Sequence, residues 1–104
     1  MNTRTKQTDI DAKSRAIVHE RDKHKCVYCG RTDKPIGLAH YISRAQGGLG
    51  IPENLISLCL ECHGEYDGGK RSEMQGYLAE FLQSVYPDWD ERRLVYRKED
   101  SYAG

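Results

Sequence analysis

No run of about 18 apolar residues occurs in this chain, so no membrane-crossing helix is expected. The opening Met1-Asn2-Thr3-Arg4-Thr5-Lys6 lacks the apolar centre of a secretory signal, which points to the cytoplasm. There is no internal repeat and no low-complexity linker. Neither sign of charge is in excess: 16 Lys and Arg face 16 Asp and Glu, a balance that speaks mildly against a nucleic-acid binder. Apolar residues are also scarce, 38% of 104, a thin supply for the core of one domain. A chain this short and polar gains from a staple.

The charge is unevenly spread. Residues 1–34 hold nine Lys/Arg against five Asp/Glu, residues 35–67 one against four, and residues 68–104 six against seven. A basic first third can face phosphates while an acidic middle holds a cation; a solvated helix face is the equal alternative.

What is present is four cysteines in two Cys-x-x-Cys pairs, Cys26/Cys29 and Cys59/Cys62, with 29 residues between the pairs and none left over. Two such turns can aim four sulfurs at one tetrahedral ion, so a structural Zn²⁺ is expected. Disulfides or a redox pair are the alternatives, but no thioredoxin-like strand–helix pattern surrounds either pair. The metal would supply folding free energy that the small core lacks.

Local patterns predict the elements. Residues 1–8 are polar and read as a disordered tail. Asp9 to Asp22 reads as a helix, with Ile10, Ala16, Ile17 and Val18 as its apolar set. Cys26 to Gly30 is a knuckle turn in which Gly30 can take a positive φ. Ile36 to Ser43 and Leu55 to Leu58 read as short strands, separated by the glycine loop Gln46-Gly47-Gly48-Leu49-Gly50. A short helix from Cys59 to Asp67 stops at Gly68-Gly69. Met74, Tyr77, Leu78, Phe81, Leu82 and Val85 form a helical stripe that is read as core, with a dimer contact as the other use. Pro87 ends it, and Asp88 with Glu91 suggests the N-cap of a last helix through Leu94-Val95-Tyr96. A single domain over 1–104 is expected, with a zinc-braced core over 9–69 and helices over 70–104.

The ordered set Arg21-Asp22-x-x-x-Cys26-x-Tyr28-Cys29-Gly30, His40-x-Ile42, Gly47-Gly48 and Asn54-Leu55-x-x-Leu58-Cys59-x-x-Cys62-His63 resembles the HNH endonucleases, over about residues 14–69. The His40 to Asp67 part is similar to the small HNH proteins of bacteriophages and prophages. The resemblance implies an α+β, zinc-stabilised ββα-metal fold: a short two-stranded antiparallel sheet flanked by N-terminal and C-terminal helices. It implies a metal-dependent DNA endonuclease that hydrolyses phosphodiester bonds and nicks as a monomer or weak dimer. DNA is then the partner, with phage packaging or other DNA-processing proteins as further ones, in the host cytoplasm if the chain is phage-encoded.

The resemblance also assigns roles. His40 would be the general base, its imidazole titrating near neutrality. His63 would bind a divalent cation, with Asp67 one helical turn on, as a second ligand stands in the colicin DNases. Asn54 would tie the loop so that His40 points inward. Apart from the resemblance, Arg44 has the guanidinium fork to reach a phosphate, with plain solvent exposure as the equal alternative. Many HNH proteins place Asp or His just before the base as a further ligand, but this chain has Ala39. A water-rich shell suits Mg²⁺, with Mn²⁺ or Ni²⁺ as substitutes. Ala39 and the zero net charge also motivate a second reading, a weak or inactive HNH scaffold that acts as a zinc-braced DNA-binding module. A third is a structural zinc domain that docks through the Met74 to Val85 stripe.

Overall fold

The branched apolar run Leu55-Ile56-Ser57-Leu58-Cys59 forms a strand, β2 (Leu55–Cys59), that is buried at every residue. The structure, a computed structural model, describes residues 3–96. β2 pairs antiparallel with β1 (Ile36–His40) in a two-stranded sheet, from Ile36 opposite Cys59 to His40 opposite Leu55. Because successive side chains alternate, Leu38 and His40 share one face and Ala39 lies on the other.

Both faces of the sheet are covered, which explains why β2 reads as a continuous apolar run rather than an alternating one. On one face Leu38 and Leu55 pack with Val18 of a helix, α2 (Ala12–Arg21). On the other, Ala39, Ile56 and Leu58 belong to a larger cluster. That cluster includes Tyr66 of α3 (Leu60–Asp67) and Met74, Leu78 and Leu82 of α4 (Arg71–Val85). The stripe is therefore core, but narrower than its pattern suggests. Met74, Leu78 and Leu82 are buried, whereas Tyr77 stays 52% exposed and packs edge-on against Tyr28.

Two expectations are corrected. Residues 1–8 are not a disordered tail throughout: Thr3–Thr8 forms a short helix, α1. The Gly50 N–H donates to the Gln7 carbonyl at 2.9 Å, and Thr8 is buried against the glycine loop. Docking onto the loop outweighs the polar composition of the segment. The last helix does not start at Asp88 either. Trp89 N–H turns back to the Tyr86 carbonyl, and the indole N–H is held by the Glu53 carbonyl at 2.8 Å. Asp90 becomes the cap, accepting from Arg92 N–H, and only a 3-10 turn at Glu91–Arg93 follows. Val95 then bridges to Gly48 instead of continuing a helix. Residues 97–104 of the expected C-terminal helices lie outside the described residues.

Arg21 and Asp22, at the end of α2, form a buried pair. Arg21 Nε and Nη2 donate to the two oxygens of Asp22 at 2.6 and 2.9 Å. The same guanidinium reaches the carbonyls of Pro52 and Leu55 and stacks near the Phe81 and Tyr86 rings. Asp22 in turn accepts from Ser57 N–H of β2. One planar fork thus joins α2, the loop before β2 and the end of α4. Removing one member leaves the other charge buried and unpaired. Arg21→Ala should destabilise the metal-loaded protein by about 3–5 kcal/mol. Arg21→Lys should recover only part of that, both read from the midpoint of urea unfolding.

Candidate functional site

The four cysteines, free of disulfides, converge. Cys26, Cys29, Cys59 and Cys62 place their sulfurs within 4.8 Å of one another, and the Cys29 and Cys59 sulfurs are 3.9 Å apart. A tetrahedron with Zn–S bonds of 2.3 Å has edges of about 3.8 Å, so the donor set fits zinc. Gly30 takes φ 79° to close the first turn, returning its N–H to the Cys26 carbonyl at 2.8 Å. Val27 N–H joins that knuckle to the Ser57 carbonyl of β2. Burial opposes ionisation of the Cys26 thiol, but backbone N–H groups of Cys29 and Cys59 outweigh it and bring the thiol down to about 7. Cys59 is at once the last residue of β2 and the N-cap of α3. An ion held there fixes the strand–helix junction, and with it the first turn that carries His63.

A second centre lies at the free edge of β1, where a cleft of about 380 Å³ is lined by His40, His63, Asp67, Arg44 and Arg71, with Leu38 and Ile10 as its apolar part. The two imidazoles therefore open on one notch. His63 Nε2 and Asp67 Oδ2 are 3.0 Å apart, one turn from each other on α3. Two adjacent ligands on an octahedral cation with bonds near 2.1 Å are also about 3.0 Å apart, so the pair suits one divalent cation. Among the described residues no third Cys, His, Asp or Glu joins them in a metal-binding group.

His40 ends β1 and is more than half buried. Its Nε2 lies 2.9 Å from the Thr8 carbonyl. Loss of water around the ring holds its pKa below the ordinary 6.5, against the Thr8 carbonyl contact, which raises it; the Arg44 charge adds to the lowering. The ring is thus kept neutral at physiological pH.

Asn54 is fully buried beneath this strand end. Its Oδ1 accepts from Ile42 N–H at 2.8 Å, and its Nδ2 donates to the Ile42 and Leu49 carbonyls at 3.1 and 2.9 Å. Asn54 O also accepts from Tyr41 N–H at 2.7 Å, so the backbone just after His40 is tied on both sides. Gly48 permits the approach: a Cβ there would lie 1.7 Å from the Ile42 carbonyl oxygen. Ala39 is fully buried in the main core cluster, so an acidic residue at this position would meet apolar side chains as well as any cation.

Arg44 lines the cleft and forms an ion pair with Asp9. Arg71 is the member that the sequence reading missed. Its Nη1 donates to the Tyr41 carbonyl at 2.8 Å, its Nη2 approaches Asp67 Oδ1 at 3.5 Å, and its guanidinium lies 4.0 Å from the centre of the Tyr66 ring. The spacing Asp67-x-x-x-Arg71 was the available signal, obscured because Gly68-Gly69 separates the two helices. His19 and His24 stack on each other away from the cleft.

A two-stranded antiparallel sheet followed by a helix, with imidazoles meeting from strand and helix, has the ββα-metal nuclease arrangement. Residues 26–67 match the family model described as HNH endonuclease, which bears out the resemblance over that segment. No curated protein matches the chain. Among solved structures, the Type IV phosphorothioation-dependent restriction endonuclease ScoMcrA is similar, with a TM-score of 0.61 and 23% identity over 76% of this chain. The likeness shows the fold; this chain spans 20% of that protein's length.

Two outcomes follow from the geometry. Stripping zinc with a strong chelator should collapse the far-ultraviolet circular dichroism, and readdition should restore it. In the zinc-loaded protein, the His40 ring should titrate below pH 6.5 by NMR. Between its folded value and 6.5 the unfolded chain binds more protons, so this group's contribution to stability is complete above 6.5 and falls as the pH drops through that window.

Proposed function

We propose that this chain is a metal-dependent DNA endonuclease that hydrolyses phosphodiester bonds one strand at a time. The observation that carries this reading is the shared cleft: a neutral imidazole on the strand end faces a histidine–carboxylate pair on the helix, with two guanidinium groups beside them. His40 takes a proton from the attacking water. His63 and Asp67 would hold the divalent cation, Mg²⁺ or a substitute such as Mn²⁺ or Ni²⁺, which when bound neutralises charge on the phosphate and supports the departing oxygen. Arg71 holds a non-bridging phosphate oxygen, and Arg44 does so when a phosphate displaces Asp9. Asn54 keeps the backbone after His40 in place. The structural ion is Zn²⁺ on the four cysteines.

The small donor count around His63 and Asp67 supports a second reading, an HNH scaffold that binds DNA without cutting it. It predicts salt-sensitive DNA binding and no product under any cation.

The discriminating experiment is nicking of supercoiled plasmid by zinc-loaded protein in Mg²⁺, Mn²⁺ or Ni²⁺. The parent should yield open circles. His40→Ala should slow nicking by about 100-fold or more with zinc content unchanged. Arg71→Ala should weaken DNA binding as well as turnover. Equal rates for the parent and His40→Ala would remove His40 from the base role. Binding without cleavage in all three cations would establish the second reading.

A further inference from the structure

We propose that the end of α1 is a positioning part of the active site: the Thr8 carbonyl sets His40 with its proton on Nε2 and its lone pair on Nδ1. This rests on the reading of His40 as the general base.

A carbonyl oxygen accepts hydrogen bonds and cannot donate them. With Thr8 O 2.9 Å from Nε2, that nitrogen must carry the hydrogen. In a neutral imidazole the other nitrogen then has the free lone pair, the form a base needs. Thr8 is the last residue of α1, where backbone carbonyls lack intrahelical partners, and it is buried. Its carbonyl oxygen meets the ring there.

The segment that brings the carbonyl there is fastened by backbone contacts on either side of Thr8. Gln7 O accepts from Gly50 N–H at 2.9 Å, and the Asp9 side chain pairs with Arg44. Gly50 makes the seat possible by having no side chain. A Cβ at this position would lie 2.0 Å from Asp9 O and 3.0 Å from Thr8 O. The last glycine of the loop thus has a task separate from turning the chain. It lets the N-terminal segment lie on the loop with a carbonyl over His40. Residues 3–9 stand outside the matched segment 26–67, so the HNH segment carries the proposed base but not the group that orients it.

The test has two measurements on the full zinc-loaded chain. A long-range ¹H–¹⁵N correlation spectrum at mildly alkaline pH should show His40 in a single tautomer, Nε2 protonated and Nδ1 unprotonated. The Nδ1-protonated form, or a mixture of the two, would overturn the proposal whether or not the protein cuts DNA. Gly50→Ala should then give mixed tautomers and lower the turnover number by about 10-fold or more, while the affinity for plasmid DNA stays within twofold. A folded Gly50→Ala with the parent's tautomer and turnover would overturn it too; should that variant not fold, the parent's spectrum decides alone. Failure of the base reading is separable: it appears as a His40→Ala variant that nicks as fast as the parent, independent of the spectrum.

Discussion

The convergence of four sulfurs on one point is the constraint on which the rest of this molecule depends. The sulfurs of Cys26 and Cys29 come from a turn after α2, and those of Cys59 and Cys62 from the junction of β2 and α3. Joining them fixes where β2 ends and which way α3 leaves it. His63 follows Cys62 directly on α3, where its ring contacts Asp67 one turn on. Structural zinc contributes apparent free energies of about 10–16 kcal/mol, as large as the whole stability of a typical domain.

The second tie, between Arg21 and Asp22, works on the opposite end of the same strand. The fork reaches the Leu55 carbonyl, while Asp22 holds Ser57 N–H. β2 thus starts at a charge pair and ends at Cys59, a member of the sulfur cluster. Its partner β1 has one free edge, and the cleft opens there. A short strand pinned at both ends can keep His40 and His63 in register although its sheet has only two members.

Much of this was legible in the sequence, where residue type and spacing encode it. The zinc turns, both strands, the stop at Gly68-Gly69 and the core stripe came from cysteine spacing, branched apolar runs, glycine pairs and helical periodicity. The rest was hidden because it is made by backbone or by distant chain. Thr3–Thr8 forms a helix whose anchoring contacts are carbonyls, and carbonyls leave no trace in side-chain composition. Arg71 looks like an ordinary first-turn residue of a helix. It faces the cleft because the Tyr66 ring and the Tyr41 carbonyl direct its guanidinium. Capping at Asp90 rather than Asp88 depends on where Trp89 finds an acceptor, a tertiary fact.

The glycine loop gathers residues 7–9 and 94–96, both outside the matched segment, beside the cleft. Gly50 receives the N-terminal segment, and on its other side Gly48 bridges to Val95 while Leu49 N–H donates to the Leu94 carbonyl at 2.8 Å. Asn54 holds the same loop from beneath through Leu49. A loop so short on side chains has little packing of its own, and three separate pieces of backbone or amide must define it. The strand end bearing His40 is tied to this loop through Ile42 and Asn54. Its accuracy is therefore shared among residues 7–9, residues 94–96 and one buried amide. The helix histidine stands next to the clustered Cys62, whereas the strand histidine is held both by Asn54 within the matched segment and by the Thr8 carbonyl from outside it.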